Sequence, residues 1–361
     1  MAINQVVAGT APSFSYYSAL YASTAGALHK GGKWVDIWSK GNPTLDWLRK
    51  KNQIGYDGGS QIEIVLAYTS GDGTSSYSDL DPLTIARPDQ ASKYFQKWSQ
   101  YHFPVVLSGH DMRVNRGKAA TAKLMKQQFR MSMTGAKETL SAHLWKLGTD
   151  DSEATGNGGK DIVSIPQIVS SRDAAGSNFD IDLYGIDASA NSSYWDAQTQ
   201  DCTGTITTVT FPKMLRLLYL NCCKDGNGDP DFGITDYQSY GMYLAALDNR
   251  VRYTQTEKAD VGFKGVECMG ATVFPDSYVP DVDNGYNYDS GSWADGSWYF
   301  LNSEYLHFAI LSGADFAPDE PQKPVDQDGM VINHFFEGNL YCTRRNCHGV
   351  AFDIPSTITA A

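Results

Sequence analysis

The chain has 361 residues, 42% of them hydrophobic and 19% charged, and a formal net charge of −12. That length supports one large or two medium domains with a sizeable core, and the balance of apolar to charged residues excludes a disordered chain. No run approaches the ~18 apolar residues of a spanning helix, and the N-terminus has no basic segment leading into an apolar one, so neither a membrane helix nor a secretion signal is predicted.

Residues 1–55 read as an arm, small and polar at first. One short helix starts within it, with Asn42 as cap, Pro43 at its first position and Leu45 and Leu48 as an apolar edge. Arg49, Lys50 and Lys51 suit its C-terminus. Residues 59–69 alternate Ile62, Ile64, Leu66 and Tyr68, which predicts a strand. A second strand is predicted from Tyr94 to Leu107. Between them, Ser70 to Asp89 is rich in Gly, Asp, Ser and Pro. A loop of that length is unusual in a compact domain, so it reads as a projecting hairpin whose tip rests on another surface.

A long helix is predicted from Arg113 to Lys146. It carries eight basic residues (Arg113, Arg116, Lys118, Lys123, Lys126, Arg130, Lys137, Lys146) and one acid, Glu138. From Leu147 onward there are 12 basic and 31 acidic residues, so a +7 rod precedes a −19 body. Such a helix is expected to lie against something acidic: another subunit, another protein or nucleic acid. A solvated charged face is the plainer alternative. Met133, Ala136, Leu140, Leu144 and Leu147 form its apolar stripe, Gly148 ends it, and Gly135 is expected to weaken or bend it.

A mixed region follows the glycine-rich break at Gly156–Gly159. Thr205–Thr210 reads as a strand, and Lys213–Cys223 as a helix led by Pro212. A further helix has Thr235 as cap, Gln238 in the capping-box position, and Tyr240, Leu244, Leu247 and Val251 as its buried face. Val261–Val273 and Trp298–Ile310 read as strands, with an acidic, tyrosine-rich loop, Asp281–Gly296, between them. Residues 315–329 form a Pro- and acid-rich bend, and Met330–Ile354 reads as two strands around Cys342–Cys347.

The motifs that suggest chemistry fall short of it. Asp225 to Asp231 resembles the start of a calcium loop, but Pro230 stands where glycine is required and Asp236 replaces the closing glutamate. Ser108-Gly109-His110-Asp111 lacks the glycine before the serine of a nucleophile elbow. Gly117-Lys118 lacks the rest of a phosphate loop. Cys342 and Cys347-His348 have no second cysteine pair to complete a zinc site, and the six cysteines are expected to be free thiols. No catalytic residue, metal or cofactor is predicted.

The order of segments is similar to that of the major capsid proteins of tailed phages. Ser108 to Gly117 leads from hairpin to helix. Gly262-Phe263 to Val273 is followed by Trp298 to Leu306, and Gly338 to Tyr341 and Cys347 to Gly349 resemble the family's closing strands. The resemblance implies an α+β, Hong Kong 97-type capsid fold with N-terminal arm, extended β-hairpin loop, peripheral domain with long spine helix, and axial α/β domain. The implied divisions are residues 1–55 for the arm, 56–107 for the extended loop, 108–159 for the peripheral domain and 160–312 for the axial domain. Residues 313–361 would return to the peripheral domain as C-terminal strands.

By the same resemblance, the chain would self-assemble through hexamers and pentamers into an icosahedral head around double-stranded DNA. It would be made in the host bacterial cytoplasm and reside in the virion. Residues 1–25 carry no charged side chain, unlike the charged built-in scaffold of some members, so a separate scaffolding protein is expected, with a portal protein and a decoration protein as further partners. Contact with packaged DNA would be weak and non-specific for a chain of this net charge. Tyr68, Tyr94, Phe95, Trp98, Tyr101 and Phe103 are the candidate intersubunit contacts. Arg113, Arg116, Lys118, Lys123, Lys126 and Arg130 are the candidate inner-face basic residues. Residues 70–89 hold no lysine, so covalent cross-linking through the loop is not expected. The nearest alternative is an encapsulin-type nanocompartment shell protein; a secreted β-rich enzyme or binding module is more distant.

Overall fold

The computed structural model describes residues 42–67, 76–79, 81, 91–114, 118–146, 159–169, 183–186, 195–204, 206–224, 228–247, 265–279 and 296–357. In chain order these form α1 (Pro43–Lys51), β1 (Gln53–Tyr56), β2 (Gln61–Ala67), β3 (Ala91–Lys97), β4 (Ser99–Ser108), α2 (Gly109–Val114), α3 (Lys118–Trp145) and α4 (Ile165–Ile168). A 3-10 turn at Leu183–Gly185 precedes β5 (Gln198–Asp201), α5 (Thr210–Cys223), β6 (Phe232–Thr235), α6 (Tyr237–Leu247), β7 (Val266–Cys268) and β8 (Ala271–Pro275). Last come β9 (Gly296–Leu301), β10 (Leu306–Pro318), β11 (Gly329–Cys342) and β12 (Gly349–Ile354). Within the described residues there are two compact units. One comprises Gln100–Leu140 with Gly313–Glu337, the other Asn42–Ser99 with Ser141–Ser312 and Gly338–Ala361.

In the first unit, α3 supplies a stripe of Met125, Phe129, Met133, Ala136 and Leu140, all buried. Their spacing of three and four residues keeps them on one side of a 3.6-residue helix. The sequence reading found only the second half of this stripe. Gly135 does not interrupt α3, and its Cβ position opens onto space. Strands β10, β11 and β4 lie side by side with β11 in the middle. Phe103, Val105 and Leu107 of β4 and Met330, Ile332, His334 and Phe336 of β11 alternate into the core. Phe316 stacks on Phe103 at 5.5 Å and lies 5.2 Å from Phe336, and Phe129 meets the His334 ring edge-on at 5.3 Å.

The second unit is built on a six-stranded mixed sheet in the order β5-β12-β9-β6-β8-β7. Central β9 is buried along its whole length and runs antiparallel to both β12 and β6. Helix α5 packs Phe211, Leu215, Leu218, Tyr219 and Cys222 into a cluster with Trp298, Phe300, Val273 and Ala351. Gly349 makes that approach fit: a Cβ there would sit 2.6 Å from Cys222 Sγ and 2.9 Å from Leu218 Cδ1. Between β7 and β8, Met269 and Gly270 both take positive φ, the turn geometry that matches strand twist in a two-residue hairpin.

Helix α1 begins as predicted, Asn42 Oδ1 accepting from the Leu45 N–H at 3.2 Å with Pro43 in the first turn. Its burial extends beyond the expected apolar edge of Leu45 and Leu48, since seven of its nine residues are buried. Trp47 stacks on Phe232 at 4.3 Å, and the Thr44 hydroxyl donates to the buried Asp276 carboxylate. Strand β1 then pairs parallel with β10, Gln53 opposite Phe308. Residues 42–49, within the segment read from sequence as the end of an arm, are thus buried in this unit, and β1 joins its sheet; residues 1–41 lie outside the described part.

Three local expectations shift. The strand expected at Thr205–Thr210 does not form over the described residues 206–210, and β5 is a different segment, Gln198–Asp201; Thr207 and Thr210 exchange side-chain and backbone hydrogen bonds of 2.9 and 3.1 Å and open α5 instead. Thr235 does not cap α6, because its hydroxyl donates to the Ser297 carbonyl at 3.0 Å within the sheet. Asp236 caps in its place, accepting from the Ser239 N–H at 2.8 Å. The buried face of α6 is Ser239 and Tyr243, with Tyr240, Leu244 and Leu247 half-buried; Val251 and the Asp281–Asp295 loop are outside the described residues.

Two histidines sit in these cores with no access to water. Burial lowers His334 to about 4 and His348 to about 3, and His348 Nδ1 accepts from the Asn302 N–H at 3.1 Å. An unfolded histidine takes up a proton near pH 6.5, whereas the folded chain refuses it until about pH 4. Their contribution to stability is therefore complete above pH 6.5 and is lost as pH falls toward 4. The melting temperature is expected to drop across that window, and His334→Gln to make the drop shallower; an equally steep drop in the variant would remove His334 as its source.

Candidate functional site

The hairpin β2–β3 is held by seven antiparallel pairs, from Gln61 opposite Lys97 to Ala67 opposite Ala91. Pairing sends alternate side chains to opposite faces. Ile62, Ile64 and Leu66 go to one face and are buried. The other face is open, and leaves Phe95 at 59% and Val65 at 56% exposure. Between them Lys93 Nζ lies 2.5 Å from Glu63 Oε1, an exposed diagonal pair worth about 0–1 kcal/mol. Two large apolar side chains around one ion pair make a patch suited to a protein surface rather than to a small polar ligand.

At the root of the hairpin a cleft of about 180 Å³ is lined by Gln61, Phe95, Gln96, Lys97 and Ser99 on one side and by Asp161, Val163, Leu183, Tyr184 and Asn339 among others. Most of its polar groups are committed. Ser99 Oγ donates to the Asp161 carbonyl at 3.0 Å. Asn339 Oδ1 accepts from the Val163 N–H and Nδ2 donates to the Lys97 carbonyl, both at 2.9 Å. The Tyr184 hydroxyl accepts from the Cys342 N–H, and its backbone holds φ at +62°. The Asp161 carboxylate lies 3.5 Å from His143, whose pKa burial lowers in spite of that carboxylate. Gln96 is the exception: it is 8% exposed, and neither its amide nitrogen nor its oxygen has a partner. Leaving such a group unpaired costs about 1–3 kcal/mol.

The predicted contact residues divide. Phe95 is exposed and Tyr94 half-buried on the hairpin, while Tyr68 lies outside the described residues. The strand expected over Tyr94–Leu107 is two strands, separated at Trp98. There the indole donates to the Gly59 carbonyl at 2.9 Å and the ring meets Tyr56 edge-on at 5.7 Å. Tyr101 and Phe103 are on β4, not on the hairpin; their rings stack on each other and reach Phe336 and Phe316 of the same unit. Sequence reasoning passed over Val65, Gln96 and Lys97. The signal for Gln96 was present, since it stands in register with Ile62 on the buried face, where a polar side chain is out of place.

Of the basic residues, Lys126 and Arg130 are exposed on α3 one turn apart, beside the buried stripe. Arg113 belongs to α2, Lys118 and Lys123 to the first turns of α3, and Arg116 lies outside the described residues. Among the described residues no His, Cys, Asp and Glu gather as a metal site, and no helix is long and apolar enough to cross a membrane.

No protein-family model and no curated protein matches the sequence. Solved structures do match the fold. The SrpI encapsulin of Synechococcus elongatus PCC 7942 is 11% identical over 86% of this chain and 88% of its own, with a TM-score of 0.53. The capsid protein of cyanophage A-1(L) is 14% identical over 87% and 93%, also at 0.53. The capsid of a native GTA particle is 9% identical over 86% and 89%, at 0.51. The chain therefore has the Hong Kong 97-type α+β fold that phage capsid and encapsulin subunits share.

Gln96→Met keeps the volume of the side chain and removes its unpaired amide. The melting temperature of the isolated chain is expected to stay level or rise; a clear fall would show that the amide is satisfied in solution.

Proposed function

From the capsid-shell fold of this chain we propose that it is the major capsid protein of a tailed phage, a structural subunit without catalytic activity. Hexamers and pentamers of it would close into an icosahedral head around double-stranded DNA. The observation that carries this reading is the fold itself, matched over 87% of this chain and 93% of the cyanophage A-1(L) capsid protein. The open face of the hairpin supports it, because exposed Phe95 and Val65 need a neighbour to cover them. Many copies of a modest contact then give a stable shell. A separate scaffolding protein, a portal protein and a decoration protein are the further partners, and the virion is the location.

The basic residues of α3 fit the same reading. An exposed cation such as Lys126 or Arg130 contributes little alone, but several together would attract an acidic scaffold, an acidic neighbour or DNA phosphates in a salt-dependent way. The encapsulin reading rests on a specific observation, the equal structural likeness to the SrpI encapsulin.

Sedimentation velocity on the purified chain, with electron microscopy of any fast fraction, tests the proposal. Hexamers and pentamers that close into shells when scaffold is added are the expected result. Uniform small shells formed by the chain alone would favour the encapsulin reading, and a strict monomer at high concentration would overturn both. Reversing Lys118, Lys123, Lys126 and Arg130 to Glu is expected to lower particle yield or DNA content while leaving the melting temperature of the monomer nearly unchanged. Normal particles with a normal DNA content would remove the role given to the helix.

A further inference from the structure

The turn between β11 and β12 brings two thiols onto one acceptor. Cys342 closes β11 and Cys347 stands shortly before β12, with Thr343, Arg344, Arg345 and Asn346 between them. Cys342 Sγ donates to the Arg344 carbonyl at 3.1 Å, and Cys347 Sγ donates to the same oxygen at 3.0 Å. Two sulfurs in contact with one atom are neighbours of each other. Both residues are fully buried, so neither thiol has water as an alternative partner.

The backbone around them is tied on several sides. The Cys342 N–H donates to the Tyr184 hydroxyl and the Thr343 N–H to the Tyr305 carbonyl, both at 2.9 Å. The His348 N–H closes the turn on the Arg345 carbonyl at 2.9 Å. Arg345 is itself wholly buried, its Nε donating to the Ile168 carbonyl at 2.9 Å and its guanidinium 5.7 Å from the centre of the Trp195 ring. A turn fixed in this way keeps the two cysteines side by side. Burial raises both thiols, Cys342 to about 12. The Arg345 charge opposes that rise at Cys342, whereas Cys342 and Cys222 add to it at Cys347. Cys342 is therefore the readier source of thiolate.

We infer that Cys342 and Cys347 are a site of oxidative closure, joining in a disulfide across the β11–β12 turn when the chain meets a peroxide. The Cys342 thiolate attacks hydrogen peroxide, keeps one oxygen as a sulfenic acid and releases hydroxide, which takes up the proton that Cys342 gave up. The Cys347 thiol then attacks that sulfur. The S–S bond forms, the S–O bond breaks, and the second oxygen leaves as water. Each sulfur loses one electron, and the peroxide is reduced to two waters. The bond ties the end of β11 to the start of β12, which lies beside central β9. Deep burial makes closure slow, so the pair stays reduced where thiols are kept reduced and closes on long exposure to oxidant. This inference goes beyond the shell reading and does not depend on it.

The folded chain, exposed to hydrogen peroxide, alkylated in denaturant and digested with trypsin, reads the bond directly. Cleavage after Arg344 and Arg345 places the two cysteines on separate peptides, so only a disulfide keeps them together. The joined peptides are expected from the wild type, to separate with dithiothreitol, and to be absent from Cys342→Ala and Cys347→Ala. Dimedone is expected to label Cys342 in Cys347→Ala. A second readout needs no variant to fold: the melting temperature of the oxidised wild type should rise by about 3 °C and fall back on reduction. Cys342 and Cys347 both still free once the half-buried Cys223 is fully oxidised would overturn the inference, and so would Cys347 joined to Cys222 instead.

Discussion

A two-stranded hairpin has two faces and only enough chain beside it to bury one. Seven pairs lock β2 to β3, and the period of two then decides every side chain's direction. Ile62, Ile64 and Leu66 are spent on the subunit's own packing. Phe95 and Val65, one position away in each strand, have no choice but to face outward. A slip of one residue would exchange the two sets, so the register that stabilises the subunit is the same register that equips its outer surface.

The helix α3 solves a related problem with a different period. Its buried stripe runs from Met125 to Leu144, and Trp145 continues inward against Tyr299 at 5.1 Å. Positions beside the stripe are left for charge, and Lys126 and Arg130 occupy two of them. After residue 146 the chain holds 31 acids and 12 bases, so the basic helix precedes a markedly acidic stretch. Contacts between exposed charges of this kind are weak and sensitive to salt.

Much of this was legible because it is local. Asn42 followed by Pro43 marks a helix start whatever the rest of the chain does, since the cap satisfies an N–H three residues away. The second half of the α3 stripe and the alternation in β2 are equally short-range patterns. The order of arm, hairpin, long helix and mixed body was enough to suggest the shell fold that the solved structures bear out. Misreadings occurred where two local signals competed. Thr235 and Asp236 are both good caps, and only the sheet, which claims the Thr235 hydroxyl through the Ser297 carbonyl, decides between them.

By itself the sequence determined the periodicities, the helix starts and the uneven distribution of charge, because each depends on neighbours within a few residues. The tertiary structure alone decided the rest. It split Tyr94–Leu107 into a hairpin strand and a core strand, since pairing partners lie far away in the chain. It drew residues 42–49 into a core through Trp47 on Phe232, a contact across 185 positions. It also left Gln96 buried and unpaired, a condition that no side chain declares until its surroundings have closed around it.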